Sequence, residues 1–301
     1  MTPPGRRFML CAAVAALAGP AAAAAKLRLL VAGPPGGRLD QLARTLPAPQ
    51  ELAIRAAGGE DGVTGANLFD ARGQADDCDA LLLPGSALQA WLAGDARVRF
   101  DPARWTPVLC GQRSGMLVGD RALPGRGGRP LVLAVPEPLG PAAAGLLGLD
   151  LIGVPADPNR AADASVSLLR QGLVDTIYVD AGPIDAAPVG DVPAGGGPIP
   201  GRPLCALTPD GQGLGAVPAL MALLRDRAAT SALAEAWPAV AALALLDHAL
   251  VLAPLADPGS AKAWRPEHPI AGTMLQALGI GGPALLAYRV WLQRRLHYAP
   301  A

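Results

Sequence analysis

From Leu27 onward the chain alternates short apolar runs with segments whose apolar residues recur every three or four positions. Leu27–Ala32 (LRLLVA) reads as a strand ending in the tight loop Gly33-Pro34-Pro35-Gly36-Gly37. Leu39, Leu42, Ala43 and Leu46 then follow at helical spacing up to Pro47. Leu52–Ala56 predicts a second strand, Gly58–Gly65 a glycine-rich loop and Ala66–Arg72 a helix. Ala80–Leu83 predicts a third strand, closed by Pro84-Gly85-Ser86 and followed by a helix over Leu88–Leu92. Strands alternating with helices imply a mostly parallel sheet. Val108–Cys110 and Met116–Val118 read as strands approaching a crossover, and Pro124–Pro130 as a linker. A second series opens with a strand at Leu131–Val135, a helix over Gly140–Gly148 and a strand at Leu151–Val154. A helix over Asn159–Gln171, stopped by Gly172, and a strand at Thr176–Val179 continue it. Ala187–Pro203 is Pro/Gly-rich and reads as loop, Pro218–Arg227 and Ser231–Ala236 as helices. Ala249–Ala253 is a strand placed to return to the first series, and Pro283–His297 a closing helix with Arg289, Arg294 and Arg295 on its polar side.

The length, 301 residues, suits two α/β lobes of ~120–150 residues each. The pattern assigns 26–123 with 249–301 to one lobe and 124–248 to the other. Aromatic residues make up only 4% of the chain, so Ala, Leu and Val must build the core. Before the first strand, Arg6 and Arg7 precede an apolar run from Phe8 to Ala18 and a stretch of small residues ending at Ala25. That is the layout of a signal peptide over 1–25, cut within Ala21–Ala25, and it predicts export to the periplasm. The run is too short to span a bilayer, which takes ~20 apolar residues. Asp247-His248 and Pro254 interrupt the other apolar stretch, Ala239–Leu255, so no stable membrane insertion is expected. With 25 basic and 25 acidic residues the formal charge is zero, which argues against a nucleic-acid partner.

Three cysteines, Cys78, Cys110 and Cys205, follow the signal segment. Either Cys78 and Cys110 form a bridge, or all three are small buried hydrophobes. His248, His268 and His297 are scattered, and neither a zinc-ligand pair nor a Gly-x-Ser-x-Gly elbow occurs. No cofactor, metal or catalytic constellation is expected, and the chain does not read as an enzyme. The glycine-rich loops are more informative, because each lies between an apparent strand and an apparent helix. A helix N-terminus offers unpaired N–H groups and partial positive charge, and glycine lets an anion approach them. Ligands of open α/β sheets gather at this edge. The alternative is that the glycines only make tight turns.

Pro34-Pro35-Gly36-Gly37-Arg38-Leu39-Asp40-Gln41-Leu42-Ala43-Arg44 resembles the Pro-Pro-Gly-Gly-x-x-Asp-x-x-Ala-Arg segment of Bug-type receptors. These are periplasmic substrate-binding proteins of tripartite tricarboxylate transporters. Gly59-x-x-Gly62-x-x-Gly65-Ala66 is similar to that family's second loop, with Asp61 in place of a glycine. Phe100-Asp101-Pro102 with Trp105-Thr106-Pro107-Val108 resembles a further segment, and Val154-Pro155, Leu168–Asp175 and Ala216-Val217-Pro218 follow in the family's order. The resemblance covers most of residues 26–256. It implies a periplasmic-binding-protein fold: two α/β lobes joined by crossover strands, with a ligand cleft between them.

The resemblance nominates Pro35, Gly36, Gly37, Gly62, Gly65 and Ser86 for one ligand carboxylate, with Thr64 beside them and Asp40 in a mainly structural role. In the second lobe the candidates are Glu137, Gly140 and Asp180. There the chain departs from the family: Ala134–Pro141 reads AVPEPLGP, two expected serines are Pro136 and Pro141, and an expected tyrosine is Ala156. Glu137 either meets a cationic group or faces solvent. The implied function is capture of a small carboxylate-bearing metabolite for a tripartite tricarboxylate transporter or a sensor. The alternatives are a degenerate paralogue that binds a protein partner and a periplasmic enzyme using the same cleft.

Overall fold

The first apolar runs form parallel strands with helices between them. They are β1 (Leu27–Ala32), α1 (Arg38–Thr45), β2 (Leu52–Ala57), α2 (Val63–Arg72), β3 (Ala80–Pro84) and α3 (Gly85–Ala93). β1 lies in the middle, with Leu29 in register with Ile54 on one side and Ala80 on the other. The computed structural model describes residues 27–46, 51–72, 78–124, 128–160, 166–183, 201–225, 231–253, 274 and 276–299. The expected signal segment 1–25 and residues 187–200 of the expected loop lie outside the described residues.

The segment Phe100–Trp105, similar to a family motif, plugs the end of α2. Trp105 stacks on Phe100 with ring centroids 5.2 Å apart and meets Phe69 edge-on at 5.7 Å. Its indole N–H donates to Asp70 (3.1 Å), while Asp101 accepts from the Ala103 N–H (3.2 Å) and caps a single 3-10 turn.

β4 (Thr106–Gly119) is one continuous strand where the pattern predicts two. Its polar centre, Gly111-Gln112-Arg113-Ser114-Gly115, hides the continuity in sequence, yet Gln112 and Ser114 are buried. After it come β5 (Leu131–Ala134), α4 (Pro141–Leu151), β6 (Ala156–Asn159), α5 (Val166–Arg170) and β7 (Thr176–Pro183). β8 (Arg202–Leu207), α6 (Leu220–Arg225), α7 (Ala232–Ala244), β9 (Leu246–Leu252) and α8 (Gly282–Leu296) complete the described elements.

Several boundaries differ from those predicted. Leu151 ends α4 instead of opening a strand; the chain turns at Gly153 (φ 71°), and the strand is the polar Ala156–Asn159, paired with β5. Asn159 ends that strand, and of the residues that follow, Val166–Arg170 is helical. Arg202–Leu207, predicted in part as loop, is a strand, because pairing with β4 outweighs its Pro and Gly surroundings. The helix predicted to end at Ala236 continues to Ala244; its N-terminus is capped by the Ser231 hydroxyl, which accepts from the Ala234 N–H (3.1 Å).

The strands run in the order β2-β1-β3-β9-β4-β7-β5-β6, with β8 also on β4. The fold is thus mixed α/β, two half-sheets fused through β4. The N-terminal half of β4 pairs antiparallel with β9, which pairs in turn with β3. Its C-terminal half lies between β7 and β8. Register shifts fall at Gly111/Gln112 and at Ser114/Gly115, so Arg113 stands between two irregularities where the strand changes partners. Such bulges re-aim side chains.

One apolar cluster runs from β3, α2 and α3 through α7 and α8 to α4 and β5, so both half-sheets share a core. α8 straps this core. Arg289 donates to the carbonyls of Leu92 (3.1 Å) and Trp91 (3.0 Å) at the end of α3, and Trp291 and Arg295 both donate to Asp150 of α4. Arg289 and Arg295, expected on a solvated face, are therefore structural, while Arg294 is exposed. Among the described residues no helix is long and apolar enough to cross a membrane.

Candidate functional site

Three loops gather at the C-terminal edge of β1, β2 and β3. In the first, the Gly36 N–H donates to the Asp40 carboxylate (2.8 Å) and the Gly37 N–H to the Pro34 carbonyl (3.1 Å). Asp40, only 3% exposed, also accepts from Arg44 (3.1 Å). The Gly36 amide and the Arg44 guanidinium hold its carboxyl below the usual range. Asp40 is therefore a brace for the loop, and it uses the N–H that sequence nominated for a ligand. Pro35 and Gly36 are exposed at the tip.

In the second loop the glycines serve packing. Gly62 has φ 74°, and a Cβ there would lie 2.4 Å from Pro84 Cδ; a Cβ on Gly65 would lie 2.6 Å from Ala32 Cα and 2.7 Å from the Ala57 carbonyl. α2 can sit on the ends of β1 and β2 only because these side chains are missing. Asp61, where the family pattern has glycine, accepts from the Val63 N–H (3.2 Å) and from Arg97 (2.7 Å). The Ser86 hydroxyl donates to the Asp61 carbonyl (3.1 Å), tying the third loop to the second, and Thr64 is exposed beside them.

The second half-sheet brings its own candidates to the same kind of edge. Gly140 is the buried N-cap of α4, and Glu137 is exposed just before it. A Cβ on Gly140 would lie 3.2 Å from Glu137 Oε2, so the carboxylate folds over the helix N-terminus, where an anion is favoured. Because Leu133 of β5 pairs with Thr176, Asp180 lies on β7 beyond the end of β5. The loops and Asp180 are thus collected at the two strand edges, whereas Gly62, Gly65 and Gly140 are buried in them.

Apart from Asp180, the charged centre between the edges consists of residues that the sequence did not nominate. Asp247, second residue of β9, sits beside the end of β3, since its neighbour His248 is in register with Pro84. Arg38, the first residue of α1, grips Asp247 with a parallel fork, Nη1 to Oδ2 and Nη2 to Oδ1, both 2.8 Å. Arg113 Nη2 reaches Asp247 Oδ1 (2.8 Å), and Arg113 Nη1 donates to Asp180 Oδ2 (3.1 Å). His248 Nδ1 lies 2.9 Å from Asp247 Oδ2. An ionised carboxylate only accepts, so Nδ1 carries the proton.

The chain Arg38–Asp247–Arg113–Asp180 thus runs from the first loop across the strand junction to the second half-sheet. Burial pushes the Asp247 carboxyl up, but hydrogen bonds from Arg38 and His248 and the charges of Arg38 and Arg113 outweigh it and leave it at about 2, from an ordinary 3.8. Tyr178, on β7, lies over Gly115, and its hydroxyl is buried without a hydrogen-bond partner. Burial and the Asp180 charge push that hydroxyl's pKa up. In the sequence, Asp247 and His248 are marked only as two polar residues inside an apolar run, a pattern that speaks against a membrane helix and names no partner.

Cys78, Cys110 and Cys205 are free thiols, so the bridge weighed from sequence is not formed. Burial pushes the thiols of Cys110 and Cys205 up to about 12, which makes both poor nucleophiles. A separate cavity of about 560 Å³ lies away from the three loops, between Thr208–Gly211, α7 and the start of α8.

No protein-family model matches the sequence, and no curated protein matches it significantly. The chain is similar in structure to a TctC solute binding protein from Polaromonas, with 16% identity over 88% of each chain and a TM-score of 0.49. It is also similar to a periplasmic transporter (14% identity, 93% of this chain and 96% of that one, TM-score 0.37) and to the periplasmic binding protein BugD (12%, 90% and 94%, 0.36).

Proposed function

We propose that the chain is an exported solute-binding protein that holds a small carboxylate-bearing metabolite between two lobes, 26–123 with 249–301 and 124–248, and passes it to a tripartite tricarboxylate transporter or a sensor. The observation that carries this reading is the convergence of three βα loops and a paired-arginine network at the strand edges that face each other across β4. Ligand sites of α/β sheets lie at such edges. The resemblance of Pro34–Arg44 to Bug-type receptors supports the same placement. Binding rather than catalysis is favoured because the arginines are neutralised by Asp247 and Asp180 and the thiols Cys110 and Cys205 are held protonated.

A thermal-shift screen of residues 26–301 against small carboxylates, amino acids and polyamines tests the reading. A ligand at a hundred times its Kd adds about 2.7 kcal/mol, which moves the midpoint of a chain this size by roughly 5 °C or more. A shift with one compound class, lost in Arg113→Gln, supports a receptor. A folded protein that responds to none favours a degenerate paralogue that binds a protein partner. That second reading draws on one observation: the Gly36 and Gly37 N–H groups are already used within the loop.

A further inference from the structure

We infer that Asp247 is an internal counter-anion lodged between Arg38 and Arg113, so that the cleft rejects doubly charged anions and takes a solute with no net charge, such as a zwitterion. The inference rests on the solute-binding reading and names the charge class of its ligand.

Three observations carry it. First, Asp247 is saturated: Oδ1 meets Nη2 of both arginines and Oδ2 meets Arg38 Nη1 and His248 Nδ1. A carboxylate offers about four lone-pair sites, so this one is the anion that the two guanidinium groups already hold. Second, the guanidinium groups remain wet, with the Arg38 side chain 61% and the Arg113 side chain 48% exposed, whereas Asp247 is 15% exposed. A group from solvent can therefore reach the arginines on the side opposite the buried carboxylate. Third, the charges cancel. The two guanidinium groups of Arg38 and Arg113 face the two carboxylates of Asp247 and Asp180. A dicarboxylate entering this set would bring two uncompensated charges, while a zwitterion leaves it balanced.

Succinate, glutarate and the uncharged diamide succinamide serve as probes, with binding read by titration calorimetry on the full mature chain. The wild type is expected to bind none of the dicarboxylates measurably. Asp247→Asn removes the charge, and Asp247→Ser also opens room between the arginines. One or both should gain at least tenfold in affinity for succinate or glutarate, with no gain for succinamide. Adding Arg38→Gln should abolish that gain.

The inference is overturned if the wild type binds succinate as well as the variants do, if neither variant gains in a form whose urea midpoint shows it folded, or if the gain survives Arg38→Gln. Should Asp247→Ser not fold, Asp247→Asn decides alone. Failure of the solute-binding reading looks different: a wild type silent to the whole library while the Asp247 variants still gain dicarboxylate binding.

Discussion

Arg295 grips Asp150 by both carboxylate oxygens, Nε to Oδ2 at 2.9 Å and Nη2 to Oδ1 at 3.0 Å, while Trp291 adds a third bond to Oδ2 at 2.8 Å. Helix α8 is thereby tied to α4. Asp150→Ala leaves the Trp291 indole N–H without its acceptor and the half-buried Arg295 guanidinium with only the Ala156 carbonyl. It should cost about 1–3 kcal/mol in urea unfolding. Asp150→Asn, which keeps one acceptor, should cost less.

Gly65 separates a packing role from a conformational one. Gly65→Ala places a methyl group within 2.6 Å of β1 and 2.7 Å of the β2 carbonyl Ala57, neither of which can yield. The expected cost is about 3 kcal/mol, at the upper end for overpacking. Gly172 is left-handed (φ 67°) with open space around it. Gly172→Ala should therefore cost only ~1 kcal/mol, the backbone strain alone. Paired denaturation curves distinguish the two.

Asp61 departs from the glycine of the similar family motif and has a use here. Asp61→Gly removes the acceptor of the Val63 N–H and one of the two carboxylates that hold Arg97, Asp95 being the other. A loss of about 0.5–1.5 kcal/mol is expected, the size of one turn hydrogen bond together with an exposed ion pair. Asp61→Asn should recover part of it, since Asn retains an oxygen for the Val63 N–H.

The Asp247 carboxyl titrates at about 2 in the folded protein against an ordinary 3.8. A depressed folded value means the group stabilises the protein fully above about pH 4, with that stability lost as pH falls toward 2. Asp247→Asn should flatten the acid limb of the stability profile between those values. Equal acid slopes in wild type and variant would show that the pairing contributes nothing to it.

Much of the fold was legible because β1, β3 and the helices of the first half obey simple periodicities, and because loops such as Gly33–Gly37 stand out by composition. What was hidden depended on partners. Ala156–Asn159 is a strand through its pairing with β5, Arg202–Leu207 through its pairing with β4, and neither has an apolar run that says so. The site divided in the same way. Local loops could be named from motifs, whereas the contacts of Arg38 and Arg113 with Asp247 join residues 209 and 134 positions away by sequence number. Nothing local marks such a pair. The glycines also carried two meanings, and only the distances from Gly62 to Pro84 and from Gly65 to Ala32 show that they let elements approach each other.

Arg113 stands where β4 leaves one half-sheet for the other, flanked by two register shifts. Its two ion pairs, to Asp247 on β9 and to Asp180 on β7, join the half-sheets side chain to side chain. Arg113 is therefore a stitch across the seam as well as a charge within the site, so its loss should loosen the join between the halves even where no ligand is involved.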